Sequence, residues 1–142
     1  MTIANIIDAA NEAQVLFKAA WGVRLAEYPN LKFTKPAISV TWARWTMSHA
    51  DGAQATLSGP VGSRRFSRAG VILIEVYTPL GAGLKVPYDT AQIALGAYEG
   101  KRTPSDVWFR NCRIVDEGPG RGENKAWWCT QVAAEFEYET LK

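Results

Sequence analysis

The sequence has few of the side chains that form disulfide bridges or bind metal ions. Only two cysteines, Cys112 and Cys129, occur among its 142 residues, and they lack C-x-x-C spacing. Two cysteines are too few for a disulfide framework, so we interpret them as small buried hydrophobic residues of a reduced, intracellular protein. A single histidine leaves too few donors for a metal site of three or four ligands. We therefore expect neither a metal nor another cofactor.

Long hydrophobic runs and a strong net charge are also absent. No apolar run approaches the roughly 20 residues that cross a bilayer. The first 21 residues include Asp8, Asn11 and Glu12 and have no basic stretch before an apolar one, so we expect no signal peptide. The formal charge is +2, from 16 basic and 14 acidic residues. This balance argues against nucleic-acid binding through bulk electrostatics.

What the chain does contain is typical of one globular domain over residues 1–142. Its residues are 47% hydrophobic and 21% charged, and a chain of this length buries a sizeable core. The unusual feature is six tryptophans. They indicate either a core rich in large rings or a contact surface that uses rings as anchors.

Two segments have helical spacing. For the first, Thr2 is the predicted N-cap and Gly22 the end; the second has Pro87 in its first turn and Gly100 at its exit. The apolar stripes are Ile3, Ile6, Ile7, Ala10, Ala13, Phe17 and Trp21 in the first helix, and Leu84, Tyr88, Ala91, Leu95 and Tyr98 in the second.

Four segments alternate as strands do. In the first, Ile38, Val40 and Trp42 share one phase, whereas Trp45 and Met47 take the other. This change predicts a bulge, a strong twist or a second face covered from outside the chain. The next strand, VILIEVYT at 71–78, is apolar on both faces, which indicates a central place in the sheet.

The last two strands are DVWFRNCRIVD and AWWCTQVAAEFEYE, joined by a glycine-rich turn. The final strand has an apolar face and an opposite face with Glu135, Glu137 and Glu139. The order α-β-β-α-β-β predicts an α+β fold: a mainly antiparallel four-stranded sheet with two helices packed on one face.

A segment rich in glycine, alanine and serine separates the first two strands. We expect a mobile arm at about 49–68, either a long mobile connection or an extended hairpin. Arg64, Arg65 and Arg68, interleaved with Phe66, form its basic cluster. This cluster predicts contact with an acidic protein surface or a nucleic-acid backbone, or else a solvated loop.

Motifs for catalysis are not specific. Ser48, His49 and Asp51 lie in the stretch SHAD, but neighbouring strand residues point to opposite faces, whereas catalytic sets are assembled from separated positions. The loops GPVGS, GAGLK and GPGRGEN do not match the phosphate-binding pattern G-x-x-x-x-G-K-[ST]. We therefore do not expect an enzyme.

The order of elements and several stretches together resemble a known family. FSRAGVILIEVYTPLGAG is followed by a helix ending in AYEG, then VWFRNCRIV, a glycine-rich turn and AWWCTQVAAEFEYE. Over about residues 3–139 the chain resembles the small tail terminator, or tail completion, proteins of long-tailed bacteriophages and related proteins of phage-like gene transfer agents. The most distinctive positions are Arg68, Gly70, Tyr77, Pro79, Gly81 and Gly83.

The resemblance implies a structural virion protein. Such proteins form a hexameric ring that caps the tail tube, terminates its polymerisation and provides the surface on which the head docks. The implied partners are copies of the chain itself, the tail tube protein and a head-tail connector or stopper protein. DNA would pass through the ring without specific binding, and no membrane is involved. The location would be the head-proximal end of the virion tail, after assembly in the bacterial cytoplasm.

A closed ring needs heterologous contacts, in which one patch meets a different patch of the next copy. We expect the basic cluster to face the acidic row or the tube protein, and exposed tryptophans to anchor the interface. The candidate interface residues are Arg64, Arg65, Phe66, Arg68, Trp45, Trp127, Glu135, Glu137 and Glu139.

Two alternatives remain open from the sequence. One is another head-to-tail joining protein, such as a stopper or adaptor ring. The other belongs to a different class, a small nucleic-acid-binding module that uses the basic loop, for which binding would depend steeply on salt.

Overall fold

A computed structural model describes residues 5–54, 64–81 and 83–141. Within these ranges the chain forms two α-helices, five strands and a short 3₁₀ helix. In chain order they are α1 (Ile6–Trp21), β1 (Leu25–Glu27), β2 (Trp42–Gln54), β3 (Arg65–Pro79), α2 (Lys85–Gly96), β4 (Trp108–Pro119), the 3₁₀ helix Gly122–Asn124 and β5 (Trp127–Leu141). No helix among these residues has the length and apolar character needed to span a membrane.

The five strands form one sheet in the order β1-β2-β3-β5-β4. Only β1 and β2 are parallel, and the other neighbours are antiparallel. The predicted α+β class is therefore confirmed, but the prediction of four strands is wrong. The additional strand, β1, pairs only three residues with the start of β2, and so short a segment has too few residues to show periodicity.

The main core lies between the helices and one face of the sheet. On β3, the alternate residues Ile72, Ile74 and Val76 are fully buried in a cluster shared with Phe17 of α1 and Ala91 of α2. Both helices thus cover the same face of the sheet. Helix residues three or four apart lie on one side of a helix, and strand residues two apart lie on one side of a strand, so each element presents one apolar side to this core. The third position of β3 in the five-strand order confirms its predicted central place.

The first long strand begins later than its pattern predicts. β2 starts at Trp42, and Ile38 precedes it in an exposed turn. Trp42 packs on the face away from the helices, where Tyr77 stacks on it at 4.3 Å between ring centroids, while Trp45 belongs to the main core. The change of phase therefore needs no bulge, since aromatic residues of this chain cover both faces of β2.

Both helices bury only part of their predicted stripes. Asn5, not Thr2, is the N-cap of α1, because its side chain accepts a hydrogen bond from the backbone N–H of Asp8 at 2.8 Å. Ala13, Phe17 and Trp21 are buried as predicted. The remaining predicted positions divide as follows: Ile6, Ile7 and Leu84 are exposed, Ala10, Tyr88 and Leu95 are half-buried, and Ala91 and Tyr98 are buried. Ile3 and the predicted cap Thr2 lie outside the described residues.

Both ends of the predicted arm at 49–68 form an extended hairpin, which is one of the two predicted alternatives. Residues 49–54 belong to β2 and residues 65–68 to β3, where they pair in an extended hairpin with a register shift between His49 and Asp51. β5 continues the pairing as far as Leu141. The rest of the predicted arm, residues 55–63, lies outside the described part of the chain.

Candidate assembly surface

The acidic row of β5 lies on the sheet face away from the helices. Each of its glutamates has a basic partner within the chain: Glu139 with Arg65 at 3.4 Å, Glu137 with Arg110 at 3.2 Å, and Glu135 with Arg113 at 3.0 Å. Two of the three arginines come from β4, the neighbouring strand. A basic group of another subunit would therefore compete with partners within the chain, and exposed pairs of this kind contribute little energy.

The basic cluster lies at the start of β3, which is paired with both β2 and β5. Arg64 immediately precedes β3, Arg65 reaches Glu139, and the Arg68 guanidinium lies 5.7 Å from the centre of the Phe66 ring. Ser67, between them, donates to Glu137 at 3.2 Å. The structure thus brings part of the basic cluster and the acidic row together across β3 and β5 of one chain.

The two tryptophans predicted as exposed anchors are buried, so that prediction is wrong. Trp45 is 1% exposed, and its indole N–H donates to the Tyr98 hydroxyl at 2.7 Å. Trp127 is 4% exposed and donates to the backbone carbonyl of Val40 at 3.2 Å. The burial of each ring depends on residues far away in sequence, which a strand pattern does not reveal.

Exposed apolar residues lie instead along both outer strands of the sheet. On the β1 side they are Val23, Leu25 and Leu31, and Ile114 and Val115 lie on β4. Beside β4, Leu84 and Val86 at the start of α2 are exposed as well. β1 and β4 end the strand order, so these two apolar surfaces lie at opposite sides of the sheet. Sequence reasoning missed them, although the adjacent pair Ile114–Val115 breaks strict alternation.

The two edges of the sheet also differ in how well they are protected from pairing with a further strand. β4 has two register shifts against β5, after Arg110 and after Ile114, and such bulges discourage further pairing. The outer edge of β2 is paired with β1 only at Trp42, Ala43 and Arg44. Beyond Arg44, no strand among the residues that the structure describes pairs with this edge. It therefore offers backbone hydrogen-bonding groups to another chain.

An apolar hollow of about 430 Å³ lies at the turn between β3 and α2. Its lining consists of Pro79, Gly81, Gly83, Leu84 and Trp128. Gly81 and Gly83 have φ of 83° and 74°, so the backbone of this turn favours glycine. The hollow adjoins the exposed apolar residues of α2 on the β4 side.

A polar cleft of about 410 Å³ opens on the sheet face away from the helices. Tyr77 on its floor donates to Glu75 at 2.6 Å and accepts from the Asn124 amide at 3.2 Å. Burial, followed by the bond to Glu75, raises the pKa of Tyr77, so the phenol stays protonated. At the rim, burial alone would lower the pKa of Arg44, but its hydrogen bond to Glu27 at 2.8 Å raises it above the ordinary value.

The only histidine lies within β2. One ring nitrogen of His49, Nε2, is 2.7 Å from the Tyr138 hydroxyl, and the ring packs edge-on against Phe136. Burial and then the charge of Arg68 lower the pKa of His49. Among the described residues, no group of three or more His, Cys, Asp or Glu side chains is placed to hold a metal ion. Cys112 and Cys129 pack in separate hydrophobic clusters.

No family model matches the sequence, and no curated protein matches it either. A protein of known structure has a similar fold, with a TM-score of 0.53. The alignment covers 88% of this chain and 94% of that protein, at 22% sequence identity. A likeness at this level of identity shows the fold alone.

Proposed function

We propose that the chain is a structural protein of a phage or phage-like tail, which forms a ring with copies of itself and caps the tail tube. In this role the ring ends tube polymerisation and provides the surface on which the head docks. The ring is hexameric in the family that the chain resembles. The tail tube protein and a head-tail connector or stopper protein are the other partners. DNA passes through the ring without specific binding.

One observation carries the proposal: exposed apolar side chains lie along both outer strands, at opposite sides of the sheet. Val115 on β4 is 49% exposed and Leu25 on β1 is 45% exposed. A ring needs two different patches, because each subunit meets its neighbours head to tail. Two apolar surfaces at opposite sides satisfy this requirement, and burying them in subunit contacts removes apolar area from water.

The test is the mass of the assembly, alone and in the presence of purified tail tubes. We expect a closed ring of defined mass by native mass spectrometry, and rings at tube ends by electron microscopy. Tubes polymerised with the protein present should be shorter than tubes without it.

Other outcomes contradict the proposal in distinguishable ways. A ring that binds filled heads but leaves tube length unchanged identifies a stopper or adaptor. A monomer that binds nucleic acid, with affinity falling steeply as salt rises, identifies the nucleic-acid-binding alternative.

A further inference from the structure

The apolar hollow at the turn between β3 and α2 has room that the described residues do not fill. Its volume of about 430 Å³ is well above that of a cavity of about 150 Å³, which already holds a benzene molecule. A Cβ atom added at Gly81 or Gly83 would meet no atom of the described residues within 4 Å, so bare backbone borders open space there. Leu84, which also lines the hollow, is 47% exposed. The hollow is therefore apolar, open to solvent and large enough for an aliphatic side chain.

One apolar side chain at the β1 side of the sheet projects fully into solvent. Val23, between α1 and β1, is 102% exposed. Two hydrogen bonds brace the turn that carries it: the Trp21 indole N–H donates to the Leu25 carbonyl at 2.9 Å, and the Arg24 guanidinium donates to the Trp21 carbonyl at 3.0 Å. Trp21 itself is buried in the main core. Val23 is therefore the tip of a fixed turn, and a group held in place in advance loses little freedom when it binds.

Val23 and the hollow lie at the same end of the sheet. Leu25 pairs with Trp42, which pairs with Tyr77, so these three residues mark one level across β1, β2 and β3. Pro79 of the hollow lies two residues after Tyr77, and Val23 lies two residues before Leu25. Because β1 is parallel to β2 and β3 is antiparallel to it, both steps lead toward the same end of the strands.

Equal height is what a closed ring requires of two contacting surfaces. Its subunits are related by rotation about one axis, so a patch and the patch that it meets on the next copy lie at the same height along that axis. In the proposed ring the outer strands face the neighbouring copies, so height is measured along the strands. Val23 borders the outer strand β1, whereas the hollow lies at the ends of β3 and β5 and at the start of α2. The two features are thus separate patches at one height.

We propose that the hollow receives Val23 from the neighbouring copy of the chain. This inference rests on the proposed ring and names a contact that joins its subunits. Each copy gives its valine to the copy on one side and takes a valine from the copy on the other, which is the head-to-tail arrangement of a heterologous interface. Val23 has no polar side-chain group, so the contact removes apolar surface of both partners from water.

The first test measures self-association of the full-length protein by analytical ultracentrifugation. Val23→Asp brings a carboxylate to the apolar hollow, and we expect association at least about tenfold weaker than in the wild type. Val15→Asp, at a valine of α1 that is 63% exposed, is the matched control and should associate as the wild type does. Both positions are exposed, so both variants should keep the circular dichroism spectrum of the wild type.

The second test mixes two defective copies. Leu84→Glu puts a charge at the hollow but leaves Val23 intact, and a carboxylate is compatible with the N-terminal end of α2. Alone, this variant should fail to assemble. Mixed with Val23→Asp, which keeps its hollow, it should form a complex of two copies and nothing larger, because such a pair has only one intact contact. A mixture that stays monomeric, or one that assembles fully, would overturn the proposal.

The outcomes separate this contact from the proposed function. A ring that survives Val23→Asp refutes the contact and leaves the proposed function standing. An open filament or a dimer that Val23→Asp dissociates supports the contact and refutes the closed ring. A wild-type protein that stays monomeric, both alone and with tail tubes, refutes both.

Discussion

At the scale of single residues, one hydroxyl joins three elements of the core. Tyr98, just after α2, accepts from the Trp45 indole of β2 at 2.7 Å and donates to the Ala13 carbonyl of α1 at 2.8 Å. Burial raises the pKa of Tyr98, so the phenol remains a donor. The local sequence shows three unrelated residues, and only their packing makes them a network.

Tyr98→Phe should destabilise the protein by about 1–3 kcal/mol, because it leaves a buried indole N–H without its acceptor and removes the phenol's own hydrogen bond. The matched control is Tyr88→Phe, which removes a hydroxyl bonded to Glu117 at the surface. We expect the control to stay within about 0.5 kcal/mol of the wild type. Urea unfolding of both variants measures the change in the free energy of unfolding. Equal losses of stability would show that the buried network contributes no more than a hydrogen bond at the surface.

At the scale of elements, β3 lies between β2 and β5 and has a glycine, Gly70, where the three strands approach closely. Gly70 pairs with His49 on one side and Phe136 on the other. A Cβ atom there would lie 2.0 Å from the Ser48 carbonyl oxygen and 2.7 Å from the Phe136 ring. The backbone oxygen cannot move aside without disturbing β2, so this glycine allows the strands and the aromatic ring to approach.

Gly70→Ala should therefore destabilise the protein by about 1–3 kcal/mol or more, as overpacking does. Gly96→Ala is the control, because nothing lies within 4 Å of its added Cβ. Alanine is the better helix former, so we expect unchanged or slightly higher stability there, by up to about 1 kcal/mol. Thermal unfolding followed by circular dichroism measures both changes. Equal stability of wild type and Gly70→Ala would contradict the tight approach.

At the scale of the whole molecule, assembly and folding depend on different residues. The core lies between the helices and the sheet, whereas the apolar residues of the outer strands point to solvent. A substitution on an outer strand should thus alter association without altering the fold of the subunit.

Val115→Lys should dissociate the proposed ring, since a lysine at the centre of an apolar contact carries an uncompensated charge. Val15→Lys, on the solvent side of α1 and 63% exposed, is the matched control. Both variants should unfold within about 0.5 kcal/mol of the wild type. Analytical ultracentrifugation should show a smaller assembly for Val115→Lys only. A ring that survives Val115→Lys would place the subunit contact elsewhere.

The sequence by itself determined the periodic features of this protein. Strand alternation indicated that both faces of β3 are apolar, and the structure buries the face of Ile72, Ile74 and Val76 in the main core. The same rule placed Glu135, Glu137 and Glu139 together on one face of β5. These predictions hold because backbone geometry sets the spacing of side chains locally, whatever the rest of the chain does.

Only the tertiary structure decided which residues meet. Glu135 and Glu137 pair with arginines of β4, Trp45 is buried against Tyr98, and Asn124 reaches Tyr77 from a turn 47 positions away. Such partners depend on strand order and register, which arise from the packing of the whole core and leave no local periodic signal. For the same reason the cleft and the two apolar edges could not be read from the residues that form them.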